Sequence, residues 1–111
     1  MGIRMARDDD RLTVWLSGEL DHHAARGWRE QIDQEIERSR CRTLILDFQG
    51  MTFMDSSGIG LVMGRYRRMQ AVGGTVRVIG ASPRIETVMR LAGLEKLGLL
   101  QNKANEEVQK A

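Results

Sequence analysis

Hydrophobic and polar positions change period several times along this chain. Residues 2–7 alternate weakly and predict a short edge strand. Asp8-Asp9-Asp10 predicts a turn, because like charges disfavour a strand interior and Asp is a good turn residue. Leu12, Val14 and Leu16 then share one face of a strand over 12–17, and the two strands should form a hairpin. From about His22 to Arg38 the period lengthens. Ala24, Ala25, Trp28, Ile32 and Ile36 recur at three- and four-residue steps, which predicts an amphipathic helix with Asp21 as N-cap. Arg42 to Phe48 is an almost continuous apolar run and reads as a central strand buried on both faces.

Gly50 to Met54 reads as a loop, after which Asp55-Ser56-Ser57 opens a second helix. Its apolar positions include Ile59, Val62, Met63, Tyr66 and Met69, and Gly73-Gly74 should stop it. Thr75 to Gly80 is a further strand. Ser82-Pro83 is a helix-start signal, with a stripe of Ile85, Val88, Met89 and Leu91 expected to be buried. That helix should end near Gly93, leaving room for a short strand between Leu94 and Leu100 and a polar, helix-favouring tail over 101–111. The order β-β-α-β-α-β-α predicts an α/β domain, with parallel neighbours wherever a right-handed crossover joins two strands.

The bulk properties narrow the function. A chain of 111 residues fits one domain with a modest core. Cys41 is the lone cysteine, so no internal disulfide can form, which suits a reducing compartment. No apolar run reaches the roughly 20 residues of a membrane helix, and the N-terminus lacks a signal-peptide core, so cytoplasm is expected. The net charge of +2 arises from 17 basic and 15 acidic residues, which are intermixed. Without a sustained basic face, nucleic-acid binding is not expected.

Several chemistries can be weighed and set aside. Asp21-His22-His23 suggests a metal site, but adjacent histidines at a helix start diverge by about 100°, and no second ligand cluster exists. A serine hydrolase built on Ser56 lacks the elbow glycine, since Met54 stands two residues before the serine. Gly58-Ile59-Gly60 lacks the third glycine of a dinucleotide loop, and there is no Walker-type sequence. Arg65, Arg67 and Arg68 read either as a solvated helix face or as a contact for an acidic partner. Ser56 has two readings as well. It could simply cap the helix, with Gly60 and Gly64 packing helix on sheet. Alternatively it could carry a phosphate, which the free N–H groups of a helix start accommodate. Gly58 and Gly60 would then keep the surface open to a partner. Taken alone, the segment favours the cap.

Two segments together change that balance. Gly18-Glu19-Leu20-Asp21-His22-His23 and Phe53-Met54-Asp55-Ser56-Ser57-Gly58-Ile59-Gly60, followed by Gly64-Arg65-Tyr66 and Gly73-Gly74, resemble the STAS domain family over about residues 3–100. Within it the chain resembles the anti-sigma factor antagonists, nearest the sporulation branch that opposes an anti-sigma-F factor. The resemblance implies a single STAS domain: a mixed sheet of four or five strands flanked by about four helices, with a C-terminal tail at 101–111. It implies partner switching. The unphosphorylated protein binds an anti-sigma factor that is also an ATP-dependent serine kinase, and this frees the sigma factor. Phosphorylation of Ser56 ends the complex, and a PP2C-type phosphatase resets it. The nucleotide belongs to the partner, so no cofactor and no catalytic residue are implied. Asp21, His22, Asp55, Ser57, Gly58, Ile59, Gly60 and Arg65 are the implied partner-binding positions, with Ser57 helping to cap the helix. The free protein is expected to be a monomer. The alternative implied by the same family is a scaffold subunit of a stressosome-like or lipid-transport complex.

Overall fold

The computed structural model describes residues 2–100. Strands β1 (Gly2–Asp8) and β2 (Arg11–Leu20) form the expected antiparallel hairpin. Asp9 takes a left-handed conformation in the turn, φ 55°, which Asp tolerates better than most side chains. Helix α1 (His22–Ser39) carries the chain over to β3 (Thr43–Met54), parallel to β2. Helix α2 (Ser56–Ala71) leads to β4 (Thr75–Ile79), parallel to β3. Helix α3 (Pro83–Leu91) follows, then one turn of 3₁₀ helix over Leu94–Leu97. The sheet order is β1-β2-β3-β4.

The register explains the core. Leu12 stands beside Leu44, and Leu44 beside Val76; Val14 stands beside Leu46, and Leu46 beside Val78. These six share one face of the sheet, because side chains alternate with period two. They join Trp28, Ile32 and Ile36 of α1 and Leu61, Val62 and Met69 of α2 in one cluster. Ile45 and Asp47 on the opposite face are also buried, so β3 is covered on both sides, as its apolar run predicts. Cys41 is buried in the core, and that burial pushes its thiol pKa up, so it stays protonated at neutral pH.

Four expectations need correction. Residues 50–54 are strand, not loop: β3 runs on to Met54 because β2 runs beside it to Leu20. The pairing shifts register between Trp15 and Ser17 and again between Gly18 and Glu19. Gly50 marks that irregularity, since a Cβ there would lie 2.9 Å from the Ser17 Cβ. Leu91 is 85% exposed rather than buried. Two positions beyond Met89, it points to nearly the opposite side of α3. The segment from Leu94 is a 3₁₀ turn bounded by left-handed Gly93 and Gly98, and only Leu100 bridges in parallel to Val78. The described residues thus hold three α-helices where about four were expected, while the four strands fall within expectation. The tail over 101–111 lies outside the described residues.

Candidate partner-binding and phosphorylation site

Parallel pairing of β2 and β3 brings the two sequence segments together. Leu20 pairs with Met54 at the last rung, and the Asp55 N–H donates to the Leu20 carbonyl at 3.3 Å. Both strands therefore release the chain at the same end of the sheet, and each enters a helix at once. Asp21 caps α1 by accepting from the Ala24 N–H at 2.9 Å. Asp55 caps α2 by accepting from the Ser57 N–H at 2.8 Å. The two helix N-termini lie side by side, joined by a 3.4 Å contact between Ser57 Oγ and His22 Nδ1 across 35 positions of sequence.

This geometry removes the cap reading of Ser56. Asp55 is the cap, so Ser56 is the first helical residue and its hydroxyl is not needed for that task. Ser56 is exposed, and its side chain makes no hydrogen bond among the described residues. A phosphate at this position would meet the positive end of the α2 dipole and its unsatisfied N–H groups. Ser57 does not cap the helix either. Its N–H is the donor that Asp55 accepts, and its hydroxyl faces His22.

The glycines divide by role. A Cβ on Gly60 would meet nothing within 4 Å, so this position leaves the surface open, as expected. Gly58 instead faces inward and is buried. A Cβ there would come within 2.2 Å of Met54 Cγ and 3.1 Å of Leu20 Cδ2. Gly58 thus lets the first turn of α2 sit on the ends of β2 and β3. Ile59 is half-buried against the core.

Arg65 departs from the expected surface. It is 5% exposed, lying between α1 and α2, with Nε 2.8 Å from Asp33 Oδ1. The N–H is not aligned well enough on the oxygen for a hydrogen bond, so the contact is an ion pair. Nη1 donates to the Leu61 carbonyl at 3.4 Å. Burial pushes the Arg65 pKa below its ordinary value. Asp33 opposes that fall, and Arg29 and Arg68 add to it. Arg68 shares Asp33 at 3.8 Å and reaches Glu37 at 3.5 Å. The arginine expected to face a partner is thus a clamp between helices.

Three residues near this end of the sheet were not among the expected site residues. Phe53 is 48% exposed at the end of β3, an uncommon place for a large aromatic side chain. Arg26 and Arg29 line a cleft of about 220 Å³ between α1 and α2, together with His22, Ser57 and Gly60. Their signal was present, because His22, Arg26 and Arg29 fall at i, i+4 and i+7 on one helical face.

The chain matches the STAS domain family over residues 3–111, and it belongs to that family. Within the family it is similar to the anti-sigma factor antagonists. It is 38% identical over 95 residues to the anti-sigma F factor antagonist of Paenibacillus polymyxa, covering 86% of this chain and 81% of that one. The corresponding protein of Lysinibacillus sphaericus is 40% identical over 85 residues, covering 77% and 73%. Among solved structures, the anti-sigma factor antagonist SpoIIAA in its unphosphorylated form superposes with a TM-score of 0.83 at 33% identity, covering 96% of this chain and 92% of that one. The phosphorylated form of Bacillus SpoIIAA superposes at 0.77, also at 33% identity, covering 98% and 97%.

Proposed function

We propose that this protein is an anti-sigma factor antagonist that works by partner switching, with Ser56 as the phosphorylated residue. The observation that carries the reading is the state of that serine: exposed, without a side-chain hydrogen bond among the described residues, and first in a helix already capped by Asp55. The unphosphorylated protein binds an anti-sigma factor with serine kinase activity through the surface around Asp21, His22, Asp55, Ser57 and Gly60. The sigma factor is thereby released. The kinase then transfers phosphate from its own ATP to Ser56, and a PP2C-type phosphatase removes it. In this reading the protein is a cytoplasmic monomer and a substrate rather than an enzyme.

Charge is sufficient to throw the switch. A phosphoserine adds about −1.5 to −2 charges at neutral pH. Burying that charge in an interface built for a hydroxyl costs desolvation, and a loss of about 3 kcal/mol would weaken binding more than a hundredfold. No refolding is needed. Both forms of SpoIIAA superpose on this chain over nearly its whole length, which supports one fold serving both states.

Incubation with the cognate kinase and ATP should raise the intact mass by one phosphate, with Ser56 carrying it in the peptide map. Ser56→Ala should take up none. Continued uptake by that variant would remove Ser56 from its role.

A further inference from the structure

The cleft bordered by Ser57 holds two arginines that no acid of the described residues pairs with. His22, Arg26 and Arg29 line it from α1, and Ser57 and Gly60 line it from α2. Arg26 and Arg29 are exposed, and neither makes a hydrogen bond or ion pair among the described residues. Three of the nearby acids are engaged elsewhere. Asp21 and Asp55 cap their helices, and Asp33 is held by Arg65 and Arg68. Glu30, four positions after Arg26, forms no ion pair with it. Elsewhere on the surface Arg38 pairs with Glu35, and Arg90 with Glu86 and Glu95, while Arg67 and Arg84 stand without an ion pair among the described residues but lie outside this cleft.

We propose that this cleft seats an acidic side chain of the kinase partner, an Asp or Glu carboxylate delivered next to Ser56. The inference rests on the partner-switching reading and names the partner's chemistry at that surface. Two guanidinium groups offer the paired donors that match a carboxylate. The volume of about 220 Å³ falls below the roughly 300 Å³ at which small-molecule sites begin, so it suits a side chain better than a nucleotide. Gly60, with open space above it, lets the partner's backbone come close. The same cations account for the direction of the switch. Ser57, adjacent in sequence to Ser56, borders the cleft, so under this proposal a phosphate on Ser56 would offset the positive charge that the carboxylate seeks.

The test is calorimetric titration of the purified anti-sigma kinase of the source organism with the full-length protein at low and high salt. Arg26→Gln/Arg29→Gln should bind about tenfold more weakly and lose most of the salt dependence of the wild type. Arg26→Glu/Arg29→Glu should bind more weakly still. Arg84→Glu, which makes the same total charge change as the Gln pair but on α3, should stay within about twofold of wild type. Circular dichroism confirms that each variant folds, and the milder Gln pair keeps the test open if the Glu pair does not. Wild-type affinity and salt dependence in the Gln pair would overturn the proposal while leaving Ser56 phosphorylation intact. An arginine effect that vanishes with nucleotide-free kinase would overturn it too, by assigning the cleft to a nucleotide phosphate. A wild-type protein that neither binds the kinase nor is phosphorylated by it would sink the partner-switching reading itself, and this inference with it.

Discussion

Asp55, Ser56 and Gly58 divide the work of one turn between them. Asp55 satisfies the helix start, so Ser56 is left with an idle hydroxyl on the surface. Gly58 sits where a side chain would strike Met54. Replacing it by Ala should improve helix propensity by up to about 1 kcal/mol. The overpacking against Met54 and Leu20 should cost about 1–3 kcal/mol. The clash wins if Met54 cannot turn away. Gly58→Ala is therefore expected to lower the melting temperature by several degrees, since each kcal/mol is worth roughly 4–8 °C in a domain of this size. A differential scanning measurement checks it; an unchanged or higher melting temperature would show that Met54 yields. The role of Asp55 could be anticipated from residue type, because Asp is as good a cap as Ser. Choosing between two adjacent good caps could not, because that depends on where β3 ends.

At the scale of elements, the end of β3 is the feature hardest to read in the chain. Gly50 and Thr52 look like loop chemistry, yet the strand continues because β2 offers it partners through two register shifts. Pairing over that distance is not encoded in local period. Amphipathic α1 and the Ser82-Pro83 start of α3 were legible because their signals are local. The buried Arg65 was not, since a helical arginine is ordinarily solvated and its ion partner lies on another element. That pair ties α1 to α2, the two helices whose N-terminal turns flank the cleft. Removing one partner leaves the other charge buried without compensation. Asp33 is partly open to solvent, which moderates the penalty. Asp33→Ala should cost roughly 2 kcal/mol, read as a lower denaturant midpoint at unchanged slope. A midpoint equal to wild type would mean that solvent or Arg68 rearrangement replaces the pair.

At the scale of the whole molecule, the fold serves to join two distant segments. Each was ambiguous alone: one resembled a metal triplet, the other a helix cap. Parallel β2 and β3 place both at one end of the sheet, with Leu20 beside Met54 and His22 touching Ser57. The order of elements was readable from period, and so was the pairing of a hairpin with crossover strands. The surface itself was readable only in part. Ser56, Asp21 and Asp55 stood out by motif, whereas Phe53, Arg26 and Arg29 became candidates once exposure and neighbours were known. Under the proposed function, charge added at Ser56 acts without a change of fold. The most direct test is the dissociation constant of the purified anti-sigma kinase for the unphosphorylated protein and for the stoichiometrically Ser56-phosphorylated protein, measured under one set of conditions. The account predicts at least a hundredfold weaker binding after phosphorylation, or about 3 kcal/mol, with superimposable circular dichroism spectra. Equal affinity of the two forms would contradict it.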